Sequence, residues 1–404
     1  MNSRMRMDRR AVLFGSATAA LLAGLDRPDA AAATATSSPP PVAARPLPAY
    51  AGWKDASALI VHSNATIETR RDALGTSAVT PVERLYVRNN LPAPDASILN
   101  DRDAWKLSVE GVGRPGVLTL RELRSLGLAT VPMVLQCSGN GRGFFPGKPP
   151  GTPWMVGAAG CVIWSGVPVR AVVAALGGVV RGASFMTGTG GEALPAGIDP
   201  QSVIVERSVP LAAMADALLA WELNGAPVPL AHGGPLRLVV PGYAGVNSIK
   251  YINRLAFSAQ ESTARIMSHG YRISPAGAQG DPSQPSVQQM SVKSWVSFPG
   301  PGPVPAGVVQ VHGLAFGGVR AVKRVDVSID GGISWRKASF VGPDLGRYAW
   351  RPFVLPVRLE PGQYRMTSRA TDAAGNVQPR ERVENAAGYN NTSWLDHVVE
   401  TTVT

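Results

Sequence analysis

Leu135-Gln136-Cys137-Ser138-Gly139-Asn140-Gly141-Arg142-Gly143 is the stretch on which the reading of this chain turns. The apolar run Val131 to Leu135 reads as a buried strand, and it delivers one cysteine into a loop with three glycines and an asparagine. Glycines in such a loop let the backbone approach a ligand closely. Arg142, five residues on, supplies positive charge that favours thiolate. A thiolate suits either an electrophile or a soft metal, so Cys137 reads as a nucleophile or as a metal ligand. No histidine in the neighbouring sequence offers itself as a base for the first reading. A third reading is a buried cysteine beside a turn.

Outward from this loop the chain mixes strands and helices. Trp105 to Glu110 alternates as a strand does, and Leu118 to Leu126 has helical spacing. Val167 to Val180 and Pro210 to Leu223 are further helix candidates, and Leu236 to Val240 reads as a buried strand ended by Pro241-Gly242. A Pro- and Gly-containing linker is expected at Ser274–Ser286. Beyond it the pattern changes. Val325, Val327 and Ile329 alternate with Asp326, Ser328 and Asp330 up to the turn Gly331-Gly332, and Tyr364, Met366, Ser368 and Ala370 form a second alternating run. Short strands with turn signals and almost no helix predict a β-sandwich. The fold class expected is therefore α+β: a mixed α/β domain followed by an immunoglobulin-like sandwich.

Composition agrees with a turn-rich globular chain. The 44 glycines and 35 prolines make about a fifth of the 404 residues, against ~12% in average proteins. Charged residues are 17% and hydrophobic ones 45%, which excludes a coiled coil and a disordered chain. The net charge of +11 is diffuse, so no nucleic-acid partner is expected. Residues 1–33 read as an export signal: Arg4, Arg6, Arg9 and Arg10, then the apolar run Ala11 to Gly24, then Ala31-Ala32-Ala33. Asp8-Arg9-Arg10-Ala11-Val12-Leu13 resembles a twin-arginine signal, which implies a periplasmic protein exported already folded. Residues 34–81 are expected to be a linker and N-terminal extension. No later stretch is apolar over 18 residues, so no membrane span is expected in the mature chain. Cys137 and Cys161 could pair in an exported protein, but two cysteines make no disulfide scaffold.

Other motifs fail. Gly111, Gly113 and Gly116 fit G-x-G-x-x-G, but Pro115 removes an N–H where a phosphate-binding helix needs one, so a hairpin turn is the better reading. There is no G-x-S-x-G, P-loop, H-E-x-x-H or C-x-x-C, and His62, His232, His269, His312 and His397 lack metal-ligand spacing.

Six segments in register resemble the sulfite oxidase family of molybdenum enzymes, from about Val82 to the C-terminus. They are Tyr86-Val87-Arg88-Asn89-Asn90-Leu91-Pro92, the Gln136–Arg142 loop, His232 to Arg237 with Ser248-Ile249-Lys250, Gly270-Tyr271-Arg272, Ser328 to Trp335, and Asn376 to Pro379. The resemblance implies a molybdopterin-binding catalytic domain over 82–275 and a dimerisation sandwich over 276–404. It implies that Cys137 is the protein ligand of molybdenum. Tyr86, Val87, Arg88, Asn89, Asn90, His232, Arg237, Ser248, Ile249 and Lys250 would hold the molybdenum–molybdopterin cofactor, the charged ones through its phosphate. Trp154, Arg142, Arg88 and Tyr271 would line the substrate pocket, with Cys137, Tyr271, Arg88 and Arg142 carrying the chemistry. Convergent guanidinium groups suit an oxyanion, and a tyrosine hydroxyl can orient an oxo group. Cys161 has no matching role and reads as a core residue.

The implied reaction is oxidation of sulfite to sulfate by oxygen-atom transfer. With no C-x-x-C-H haem attachment in the sequence, electrons would leave to a separate partner such as a c-type cytochrome. A homodimer is implied. Two departures stand out. Asn90 replaces the usual His, and Ala387, in Asn385-Ala386-Ala387-Gly388, replaces an Arg that reaches the substrate anion. Losing one charge-assisted bond costs roughly 1.5–3 kcal/mol, with Tyr389 or Arg382 as candidates to compensate. Another sulfur or oxo substrate is therefore the alternative, and a non-catalytic exported binding protein on the same fold is the third reading.

Overall fold

A computed structural model describes residues 45–404, which form one compact unit. The expected export signal and the first part of the expected linker lie outside the described residues. No helix among the described residues is long and apolar enough to cross a membrane.

The first half is built on three sheets. The sheet that carries the cysteine loop orders Ala226–Pro227, Leu218–Leu223, Ala159–Pro168 and Ala129–Gln136, with Arg237–Val239 also paired to Leu218–Leu223. A second orders Gly116–Thr119, Lys106–Glu110, Ile252–Ser258, Phe185–Gly190 and Glu206–Pro210. Their facing sides bury Leu107, Val109, Val167, Leu219, Leu236, Leu238, Ile252 and Leu255. The G-x-G-x-x-G segment is the hairpin joining Lys106–Glu110 to Gly116–Thr119, with Gly111 at φ +70°. The helix Leu120–Ser125 starts in a capping box between Thr119 and Glu122, within the expected span. The expected helix Val167–Val180 is the shorter Val169–Ala175.

Pro210–Leu223 corrects a helix expectation: a short turn of 3-10 helix, Leu211–Ala215, leads into the strand Leu218–Leu223. That strand lies between two others and is buried on both faces. Its continuous apolar run therefore belongs to a central strand.

The N-terminal region is folded. Leu59–Ser63, Thr66–Thr69 and Val87–Arg88 make a three-stranded sheet. Its Glu68, buried, accepts from Met155 N (2.8 Å), Gly157 N (2.9 Å) and His62 Nε2 (2.7 Å).

The second half is the expected sandwich. One sheet orders Lys293–Phe298, Gly307–Phe316, Arg351–Leu359 and Ser339–Phe340. The other orders Pro303–Val304, Val399–Val403, Gly362–Asp372, Val322–Ser328 and Arg336–Lys337. Inward residues alternate along each strand, so Val309, Val311, Phe353, Leu355 and Val357 meet Val325, Val327, Met366 and Ala370. The two halves share a further core in which Val134, Cys161, Tyr271 and Val287 pack with Trp295, Leu314, Phe316 and Trp350. The segment 274–286 is a folded connection: Ile273 N donates to Pro285 O, Val287 N to Tyr271 O, and Ser274 Oγ to Gln284 Oε1.

Candidate active site

The strand Ala129–Gln136 pairs with Ala159–Pro168 up to Gln136, and Cys137 N adds one more bond, to Ala158 O (2.9 Å). The chain then turns. Asn140 N returns to Cys137 O (3.0 Å), and Gly141 takes φ +96°. Asn140, fully buried, ties both strand ends together: its Nδ2 donates to Gln136 Oε1 (2.9 Å) and its Oδ1 accepts from Ala158 N (3.1 Å). At 139 a Cβ would lie 2.6 Å from the Arg142 guanidinium, so a larger residue there would displace that side chain.

Cys137 opens into a cleft. Around it stand Tyr86, Arg88, Asn89, Asn90, His232, Arg237, Ser248, Ile249, Lys250 and Tyr271, contributed by four separated segments. Val87, Trp154 and Arg142 do not line it. Val87 faces the other side of its strand, into a core with Ala51, Leu59, Val61 and Ile67. Trp154 supports the cleft wall from behind, edge-on to Tyr86 (6.3 Å) and to His62 (5.3 Å). Arg142 turns toward the second half: its Nε donates to Ala387 O (2.7 Å) and its Nη1 to Thr152 O (3.0 Å). A position beside Cys137 in sequence does not fix where a long side chain ends.

Charge in the cleft is one-sided. Arg88, His232, Arg237 and Lys250 converge, and Glu192 is the only acid on the wall. Burial and the neighbouring Arg237 push Lys250 well below its ordinary value, and burial brings Arg237 down to about 10. His232 is likewise held well below its ordinary value by burial and by Lys54, Lys250 and Arg237. Burial raises Glu192 to about 7. Five buried polar atoms on the wall have no partner within the protein: Arg88 Nη1, Ser138 Oγ, Glu192 Oε2, His232 Nε2 and Arg237 Nε. Buried polar groups are ordinarily paired. This wall therefore fits an anionic ligand rich in hydrogen-bonding groups, such as a pterin phosphate.

Cys137 is the cleft's one thiol, and no cluster of three or more His, Cys, Asp or Glu able to hold a metal occurs among the described residues. A metal at Cys137 would take its other ligands from a cofactor, and the donor set fits that group. At the same end Tyr271 sits at φ +52°, a left-handed conformation that costs a non-glycine residue energy. Its hydroxyl donates to Asn90 Oδ1 (3.2 Å), and its ring lies between Tyr389, stacked at 5.2 Å and 14°, and the Arg207 guanidinium at 5.6 Å. Ser138 and Glu192 are not among the expected site residues, while Tyr389, named as a candidate to compensate for the missing arginine, stacks on Tyr271. Ser138 could have been read from the loop itself. Glu192 stands in Gly190-Gly191-Glu192-Ala193-Leu194, which carries no spacing signal. Cys161 is buried in the core shared by the halves, with its thiol pushed up to about 12, and both cysteines are free.

Comparison with known proteins gives the same assignment. Residues 92–266 match the family described as oxidoreductase molybdopterin binding domain, and residues 284–402 the Mo-co oxidoreductase dimerisation domain. Sulfite oxidase of Gallus gallus is 34% identical over 345 residues, covering 81% of this chain and 74% of that protein. Sulfite oxidase of Arabidopsis thaliana is 30% identical, covering 81% and 89%. The mitochondrial sulfite oxidase of Homo sapiens is 33% identical, and the match spans 58% of its length. Among solved structures, the sulfane dehydrogenase SoxCD from Paracoccus pantotrophus superposes with a TM-score of 0.71 at 25% identity, covering 85% of this chain and 88% of that one. This chain belongs to the sulfite oxidase family of molybdopterin-binding oxidoreductases.

Proposed function

We propose that this protein oxidises sulfite to sulfate in the periplasm, after export by the twin-arginine route, and passes the electrons to a separate c-type cytochrome. The observation that carries the reading is the convergence of Cys137, Tyr271, Arg88, His232, Arg237 and Lys250 on one cleft. When bound, the molybdenum–pterin group supplies the oxygen-atom transfer and the redox steps. The chain supplies binding and orientation. Arg237, Lys250, His232 and Ser248 would cradle the phosphate, each of the charged groups already desolvated. Asn89 holds Lys250 in place through Oδ1 (2.5 Å). Cys137 would give the metal its one protein thiolate. Arg88, with Nη1 free toward the cleft, would draw the sulfite anion to the end where the Tyr271 hydroxyl is aimed by Asn90. The sandwich of residues 276–404 would pair two copies.

A second reading keeps the cofactor and changes the substrate to sulfane sulfur. It is favoured by Ala387, whose carbonyl occupies Arg142 while no arginine of its own reaches the pocket. Purified protein from a cofactor-competent host is expected to contain molybdenum and to reduce cytochrome c on adding sulfite. Turnover with a persulfide donor and none with sulfite would transfer the assignment to the second reading, and a molybdenum-free preparation would sink both. Cys137→Ser is expected to abolish turnover, and unchanged activity would overturn its role as ligand.

A further inference from the structure

The second half of the molecule reaches across to hold the Cys137 loop. The loop's five carbonyls divide between two sets of donors. Two are satisfied inside the loop: Cys137 O by Asn140 N (3.0 Å) and Gly139 O by Arg142 N (2.9 Å). The other three accept from residues far along the chain, Gly141 O while also accepting from Phe144 N (3.2 Å). Ser138 O accepts from Asn390 N (2.9 Å), Asn140 O from Lys293 Nζ (3.2 Å), and Gly141 O from Asn391 Nδ2 (3.0 Å). Arg142 reciprocates through Nε to Ala387 O (2.7 Å).

The donors are themselves fixed. Lys293 is 1% exposed at the start of the strand Lys293–Phe298. Asn391, also 1% exposed, donates to Asp396 Oδ2 (2.8 Å) and accepts from Ser393 N (3.0 Å). The fit leaves no slack. A Cβ on Gly141 would lie 2.9 Å from Asn391 Cβ, and one on Gly388 2.8 Å from Arg142 Cγ. The same C-terminal segment continues to the other reacting residue, since Tyr389 stacks on Tyr271 and Ala386 N donates to Ser274 O (3.0 Å). Burying a lysine for one carbonyl bond is a poor way to gain stability. It is a good way to fix a carbonyl three residues from Cys137.

We propose that Lys293 and Asn391 are positioning residues that hold the Cys137 loop in register, so that the sandwich completes the catalytic site as well as serving dimerisation. The proposal rests on Cys137 being the metal ligand. Groups that orient a metal's ligands typically govern activity by roughly 10- to 100-fold, and that range is expected for kcat in Lys293→Met and Asn391→Leu, with KM unchanged. Pterin and molybdenum content should stay at the wild-type level, while the Mo(V) electron paramagnetic resonance signal splits into several species. Variants that keep a single wild-type signal and a kcat within about twofold of wild type would overturn the proposal.

Amide hydrogen exchange on the unsubstituted protein gives a test that needs no variant to fold. Amides of residues 137–143 are expected to exchange together with the strand Lys293–Phe298. Loop exchange by local opening, with that strand still protected, would overturn the proposal too. Wild-type protein lacking pterin and molybdenum would instead refute the cofactor reading, and the exchange result would still judge the clamp.

Discussion

Arg237 shows how a single side chain reports its missing partner. Its Nη1 donates to His232 O (2.8 Å) and its Nη2 to Ser248 O (3.1 Å), which fixes the guanidinium plane and leaves Nε buried and bare. The flat face lies over the Trp164 ring at 5.1 Å. A cation so held is preorganised for an anion and costs energy without one. Arg237→Met is therefore expected to lower pterin retention. Loss of one charge-assisted bond of about 1.5–3 kcal/mol corresponds to roughly 10- to 100-fold weaker binding. Pterin fluorescence after dialysis measures it, and full retention would place the phosphate elsewhere. Residues of this kind are legible in sequence because they come in runs, Tyr86–Asn90, His232–Arg237 and Ser248–Lys250, each of which brings two or more side chains to the cleft. Glu192 stands alone, and only the fold brings it there. Arg142 and Trp154 show the converse: the expectation put both in the substrate pocket, while the Arg142 side chain bonds Ala387 O and Thr152 O and Trp154 packs behind Tyr86.

At the scale of elements, the N-terminal segment belongs to the site's frame. Lys54, 5% exposed, donates through Nζ to Val82 O (2.6 Å) and Leu85 O (2.8 Å), just ahead of the strand that carries Arg88. Close backbone approach helps on the other side, where a Cβ on Gly157 would lie 1.6 Å from Thr69 O. Nothing in the Pro-, Ala- and Thr-rich lead-in announces this, because the partners of this region lie 28 to 89 residues away. Burial brings Lys54 from the ordinary 10.5 down to about 7. Between those values the unfolded chain holds a proton that the folded chain lacks, so the contribution of Lys54 to stability grows as pH rises from about 7 to 10.5. Lys54→Met leaves two carbonyls unpaired and should cost about 1–3 kcal/mol near neutrality. The gap in urea midpoint between wild type and variant should widen from pH 7 to pH 9.5. A gap that stays constant would show that Lys54 is charged in the folded state. The misread strand Leu218–Leu223 belongs at this scale too. Ala, Leu and Met favour a helix locally, and pairing on both edges overrides that preference.

On the scale of the molecule, two domains that are distinct in sequence are one object in packing. Trp295 stands at the junction, fully buried, edge-on to Phe316 (6.3 Å) and Trp350 (6.4 Å), in the cluster that also contains Val134, Cys161 and Tyr271. Val134 is three residues from Cys137 on the strand that feeds the loop. Unfolding the second half would strip apolar surface from the first and leave Ser138 O and Asn140 O of the loop without their donors. The full chain is therefore expected to unfold in one calorimetric transition. Trp295→Ala, which empties a large buried site, should cost about 3–5 kcal/mol and move that transition as a whole. Cys161 provides a probe inside the shared core, since its buried thiol should react with a disulfide reagent only as the transition occurs. Two resolved transitions, or Cys161 labelling ahead of the calorimetric midpoint, would show that the halves fold independently and that the core between them is a contact surface only.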